Sequence, residues 1–232
     1  MEREELDRRL GEVRERLARA AERGGRDATA VRVVAVTKGH PLEVVRTALA
    51  AGLRDLGENR LDELEGKAAR VAGGGVRWHM IGHLQRRKAP GVRGLVHLLH
   101  SLDSSRLAER FERTAPEGAP SLPVLVQVNT SGEEAKGGFE PDAIERWMEA
   151  LLSMKTLKLE GLMTMAPYTG DEGVLRATFA RLRDLQEALR ARFPEYRGRE
   201  LSMGMSNDFE VAVEEGSTIV RLGTVLFGER PE

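Results

Sequence analysis

A chain of 232 residues can hold one large domain or two small ones, with ample material for a core. Thirty-six basic residues against thirty-seven acidic ones leave a net charge of −1, so no global positive field argues for nucleic acid. The absence of cysteine excludes disulfides, thiolate zinc sites and cysteine nucleophiles, and it suits a reducing compartment.

The charged, amphipathic start MEREELDRRLGEVRERL carries no apolar signal region, and no stretch approaches the length of a membrane span. The expectation is a soluble cytoplasmic protein. Residues 2–23 read as a helix with Leu6, Leu10, Val13 and Leu17 on one face, ended by Gly24 and Gly25. Val31 to Lys38 is an apolar, β-branched strand, and a helix runs from Pro41 to about Ala51. Arg54 to Asn59 is a second strand, residues 61–71 its helix, and Gly73, Gly74 and Gly75 a turn. Val76 to Gly82 is the third strand, with a short helical piece from His83 to Lys88. Leu95 to Leu102 follows as the fourth, with Asp103 or Ser104 capping the next helix.

Pro123 to Asn129 is the fifth strand, and Pro141 opens a helix carrying Ile144, Trp147, Met148, Leu151 and Leu152. Leu159 to Met165 is the sixth, before a long helix from Glu172 to Arg192. Glu200 to Ser206 with the helix DFEVAVEEG, then Ser217 to Gly223 with the segment TVLFG, complete the pattern. Eight strands alternating with helices, with no repeat or composition break, predict a parallel sheet. The expected fold is α/β: a single (β/α)8 TIM barrel over residues 1–232 with an extra N-terminal helix. An open doubly wound sheet would place a GxGxxG turn after an early strand, and none follows Lys38.

A barrel carries its site at the C-terminal ends of the strands. Those ends supply Lys38, Asn59, Gly82 with His83, Leu102 with Asp103, Asn129, Met165, Ser206 and the stretch Arg221 to Thr224. An ammonium at the mouth of a buried strand must meet an anion or give up its proton, and a desolvated lysine amine forms Schiff bases with carbonyl compounds. The plainer alternative is a lysine snorkelling to solvent. Only six of the thirty-six basic residues are lysines, which makes this one more informative. Barrels also hold phosphate between the loops after strands seven and eight. Ser206, Asn207 and Asp208 end the seventh strand, and Gly223 and Thr224 follow the eighth. There a hydroxyl and backbone N–H groups can grip a phosphate; otherwise Ser206 and Asp208 are helix caps and Gly223 a turn glycine.

Arg221, two residues before Gly223, points into the same mouth. It is a permanent donor and favours an unprotonated heteroaromatic nitrogen opposite it, unless it forms an ion pair with Glu200 or Asp208. His79 and His83 straddle a strand end, so no metal pair is expected, and the GMSND stretch lacks the second glycine of a nucleophile elbow. Arg86, Arg87 and Lys88 form a basic patch that can touch phosphate or RNA, or simply face solvent. Trp78 and Trp147 read as core residues.

The motifs VAVTK, LGEN, WHMIGHLQ, VNTSGE, GLMTM, SMGMSND and GSTIVRLGTVLFG, in this order, span nearly the whole chain. They resemble the pyridoxal phosphate homeostasis protein family, which is similar to the N-terminal barrel of alanine racemase and has the fold-type III arrangement. The resemblance implies that Lys38 carries pyridoxal 5′-phosphate (PLP) as a Schiff base. It implies cofactor contacts from Asn59, a phosphate grip from Ser206, Gly223 and Thr224, and a pyridine-nitrogen partner in Arg221. Ser202 is a secondary candidate. Arg87 departs from the family pattern, which usually has asparagine there.

Two functional classes follow. One is a carrier that buffers PLP or delivers it to PLP-dependent apo-enzymes. The other is a fold-type III enzyme such as an amino-acid racemase, which needs a base on each face of the substrate adduct. Alanine-racemase-like enzymes take the second base, a tyrosine, from a further domain of a partner subunit. After its eighth unit this chain has no length for that domain, and of its two tyrosines only Tyr168 follows a strand end. The expectation is a monomeric, non-catalytic carrier.

Overall fold

Eight parallel strands close into a ring in chain order in the computed structural model, which describes residues 1–71, 75–133 and 136–230. The strands are β1 (Arg32–Val36), β2 (Asp55–Glu58), β3 (Arg77–Met80), β4 (Leu98–Leu102), β5 (Leu122–Gln127), β6 (Leu157–Met163), β7 (Glu200–Ser202) and β8 (Ile219–Leu222). The helices are α1 (Arg3–Arg23), α2 (Leu42–Ala50), α3 (Leu61–Ala68), α4 (Ser105–Thr114), α5 (Pro141–Ser153), α6 (Glu172–Arg192), α7 (Phe209–Glu214) and α8 (Thr224–Phe227). The fold is the expected (β/α)8 barrel with an additional first helix. Gly73 and Gly74 of the expected turn lie outside the described residues.

Closure comes from β8 pairing with β1, where Val34 stands beside Arg221 in register. Because strand side chains alternate, that pairing sends both inward. Val34, Leu98, Leu125, Met163 and Ile219 form a small apolar cluster apart from the larger core. In α1, Leu6, Leu10, Val13 and Leu17 are buried, each contributing roughly 1.5–3 kcal/mol. The helix packs on α2, α7 and α8, across the seam where the ring closes.

Four local expectations differ. The third unit holds a 3-10 helix, Arg86–Val92, because Pro90 removes an N–H from any longer helix. The seventh strand stops at Ser202, since the chain turns at Gly204 with φ of 95°. Trp147 is 37% exposed: Ile144, Met148 and Leu151 make the buried stripe of α5, and Trp147 lies one residue round the helix from it. Neither Ser104 nor Asp208 caps its helix through the side chain. The Asp103 carboxylate accepts from His83 Nδ1 (2.7 Å) and Ser104 Oγ (3.0 Å), and Asp208 Oδ1 accepts from Met205 N.

Candidate functional site at the barrel mouth

A cavity of about 610 Å³ opens at the C-terminal ends of the strands, within the ~300–1,000 Å³ range of small-ligand pockets. Its wall contains six of the residues assigned to the cofactor from the sequence, all but the secondary candidate Ser202: Lys38 after β1, Asn59 after β2, Ser206 after β7, Arg221 in β8, and Gly223 and Thr224 after it. Gly82, His83, Asp103 and Met165 also reach it.

Lys38 is half-buried. Among the described residues its Nζ has no hydrogen bond and no ion pair. Burial pushes its pKa down, the neighbouring charges of Arg230 and Arg221 push the same way, and Glu58 opposes them. The backbone on both sides is held fast. Thr37 Oγ1 donates to Glu58 Oε1 (2.6 Å), Lys67 Nζ donates to Thr37 O (2.7 Å), and Gly39 N donates to Glu63 Oε1 (2.7 Å). The result is a fixed strand end carrying an unpaired amino group whose proton is easier to lose than an ordinary lysine's.

Arg221 is 4% exposed and donates through Nη1 to Ser202 O (2.8 Å) and Ser202 Oγ (2.7 Å), and through Nη2 to Thr164 O (3.0 Å). Neither expected acidic partner holds it. Burial lowers its pKa to about 10, against a small opposing effect of Asp208, so at neutral pH it remains a cationic donor.

Ser202 anchors Arg221 and does not line the cavity. Its hydroxyl begins a chain through the barrel interior: Ser202 Oγ to His100 Nδ1 (2.8 Å), His100 Nε2 to His79 Nδ1 (2.8 Å), His79 Nε2 to Asp55 Oδ1 (3.0 Å). Asp55 also accepts from Arg77 Nε (2.7 Å). Burial raises the Asp55 pKa, but the Arg77 and His79 hydrogen bonds outweigh it and hold the carboxyl well below its usual range. Burial lowers both histidines, so they are neutral. An acceptor-only carboxylate at one end therefore fixes every donor in the chain. His79 and His100 both carry hydrogen on Nε2, and Ser202 donates to His100 while accepting from Arg221.

Ser206 Oγ accepts from Gly223 N and Val225 N, both at 3.3 Å. That is just beyond the usual ~2.7–3.2 Å of an N–H···O bond, so these donors are only loosely satisfied at the mouth. Gly82 is tied to Asn59, because a Cβ there would meet Asn59 Cα at 2.7 Å. Asn129 does not join the site; its Nδ2 donates to Glu133 O (3.1 Å) in the loop after β5. His79 and His83 also part company, one inside the ring and the other exposed against Asp103.

The wall includes residues that the sequence reading missed. Gln127 ends β5, Lys136 and Gly137 follow in its loop, and Met205 precedes Ser206, whose other neighbour Asn207 lines the wall as well. Lys136 had one signal: a scarce lysine in a glycine-rich loop after a strand. Its Nζ pairs with Glu133 Oε2 (2.6 Å) and donates to Ala166 O.

A family model described as "Alanine racemase, N-terminal domain" matches residues 9–231. The pyridoxal phosphate homeostasis protein of Aquifex aeolicus is 41% identical over 222 residues, covering 96% of this chain and 97% of that protein. The chain belongs to the pyridoxal phosphate homeostasis protein family. A second family member, from Pseudomonas aeruginosa, is 41% identical over 221 residues, covering 95% of this chain and 94% of its own. Among solved structures, PipY of Synechococcus elongatus with PLP bound superposes at a TM-score of 0.84 with 34% identity, covering 96% of this chain and 100% of PipY. Alanine racemase from Bartonella henselae shares the fold at a TM-score of 0.75 with 12% identity, and the match takes up 62% of that longer chain.

Proposed function

We propose that this chain binds PLP at the barrel mouth as a Schiff base on Lys38 and acts in intracellular PLP homeostasis, buffering or delivering the cofactor without turning over a substrate. The observation that carries this reading is the Lys38 amine, half-buried, unpartnered among the described residues and depressed in pKa, beside a buried arginine. The bound form of PipY and the shared family name support it. The residues fit the group: an amine free to react, a donor-only cation and loosely satisfied N–H groups at one opening.

PLP supplies an aldehyde that condenses with an amine, together with a pyridine nitrogen and a phosphate. Lys38 provides the amine. Arg221, with its orientation set by Ser202 and Thr164, would offer a donor to the ring nitrogen and favour its unprotonated form. Ser206, Gly223 and Thr224 would hold the phosphate, and Asn59 would add a polar contact from the same wall. Neither tyrosine offers a base for racemisation. Tyr168 is 93% exposed, while Tyr196 is buried and donates to Gln186 Oε1 (2.9 Å). Exposed large apolar side chains among the described residues are Met1, Trp147, Tyr168 and Val174, a modest set that favours a monomer. We place its work in the cytoplasm, where the absence of cysteine is at home.

Added PLP gives a yellow protein, and borohydride reduction followed by peptide mapping puts the label on Lys38. Lys38→Ala loses the colour; undiminished uptake by that variant overturns the assignment. Purified holo-protein shows no racemase turnover with alanine or serine, and robust turnover would favour the enzyme reading.

A further inference from the structure

Beside the cofactor mouth lies a second, more open groove of about 740 Å³, and five arginines line it: Arg86, Arg87, Arg106, Arg110 and Arg113. Two come from the start of the 3-10 helix after β3 and three from α4, at spacings of four and three residues that put them on one helical face. Among the described residues none of the five makes an ion pair. Among the described lining residues the one carboxylate is Asp103, hydrogen-bonded to His83, which leaves five cations facing one anion. On α4, Glu112 is turned to Thr156 and Lys155, and the exposed Glu109 makes no ion pair with the arginines among the described residues. A chain with a net charge of −1 has thus gathered an excess of positive charge at one place, five arginines against Asp103 in the groove and Glu109 beside it on α4.

That place adjoins the cofactor mouth: His83 and Asp103 belong to the walls of both cavities. We propose that the groove docks an acidic, extended segment of the protein that receives PLP. The proposal rests on the delivery reading above and names the kind of partner it requires. From Arg106 to Arg113 the strip runs about 10 Å along the helix, too long for one phosphate. That length holds two carboxylates from alternate positions of an extended chain, which recur roughly every 6.6 Å. Guanidinium forks take carboxylates in pairs of hydrogen bonds. Among the described residues no phenylalanine, tyrosine or tryptophan lines the groove, and its one ring, His83, is hydrogen-bonded to Asp103, so it lacks the row of stacking platforms that single-stranded nucleic acid uses. Arg106 and Arg113 are exposed and Arg110 half-buried, so binding is salt-sensitive and serves to steer and orient the partner at the mouth.

The test is fluorescence anisotropy with a labelled decaglutamate peptide on the apo-protein at low salt. Wild type binds, Arg106→Ser/Arg110→Ser/Arg113→Ser binds about tenfold more weakly or worse, and a control, Arg14→Ser/Arg197→Ser, binds as wild type. Equal binding by the α4 variant, no binding by wild type, or tighter binding of an oligouridylate of the same length overturns the proposal. Far-UV circular dichroism and PLP uptake check that the α4 variant is folded. Lys38→Ala retains peptide binding, so a failed cofactor assignment and a failed groove assignment give different results.

Discussion

Two lysines on consecutive units of the barrel meet opposite fates. Lys67 on α3 is 7% exposed and uses all three ammonium hydrogens: on Thr37 O (2.7 Å), Glu58 Oε1 (2.8 Å) and Glu63 Oε1 (2.7 Å). Lys38, one strand end away, is less buried yet has no partner among the described residues and faces two arginine charges. Burial with full compensation locks a charge in place. Burial without it makes the proton easier to lose. The two are mechanically joined, because the cluster around Lys67 grips Thr37 and Gly39, the neighbours of Lys38. The locked lysine holds the strand end on which the reactive one stands.

The largest consequence is for stability. Lys67→Met leaves the Glu58 carboxylate buried without its cation and should cost about 3–5 kcal/mol in urea unfolding at neutral pH. Burial already raises the Glu58 pKa against the pull of Lys67 and Thr37, and its Oε2 has no partner among the described residues. The penalty therefore shrinks as the pH falls and Glu58 takes a proton. Lys38→Ala in the apo-protein should leave stability unchanged or raise it. A lysine whose folded pKa is lowered opposes folding while it is protonated, and its removal relieves that. If the two substitutions cost the same, the contrast is wrong.

How much of this was legible differs residue by residue. Lys38 and Arg221 were readable because strand alternation and strand ends are local properties: the mouth follows from where each apolar run stops. Lys67 was not, since LDELEGKAAR looks like an ordinary amphipathic helix, and the burial of its lysine depends on Glu58 and Thr37 in another unit. The chain from Ser202 to Asp55 was invisible for the same reason: Ser202 and His100 lie 102 residues apart and meet only once the ring has closed. Asn129 misled because a polar residue at a strand end can satisfy its own loop as readily as it lines a mouth.

A smaller effect is expected at the rim of the locked cluster. Glu63→Gln keeps an oxygen for Lys67 Nζ and Gly39 N but removes the charge from a side chain that is 25% exposed. The loss should be about 0.5–1 kcal/mol by urea unfolding, with PLP uptake within about twofold of wild type. A large drop in uptake with little loss of stability would mean that the charge of Glu63 acts on Lys38 directly, and not through the backbone at Gly39.

The finest distinction concerns the free amine. Arg230 packs over Gly39, where an added Cβ would meet its Cδ at 2.7 Å, and its charge helps to lower the Lys38 pKa. Arg230→Gln removes that charge, so the Lys38 pKa rises and less of it is amine near neutral pH. Uptake of PLP, followed by stopped-flow absorbance, should then slow by less than about tenfold at pH 7–8, since the interaction is partly screened by solvent. The rates of variant and wild type should converge at alkaline pH, where both lysines are fully deprotonated. A uniform slowing at every pH would instead mean that Arg230 attracts the phosphate on its way in. The low pKa of Lys38 would then rest on burial and Arg221 alone.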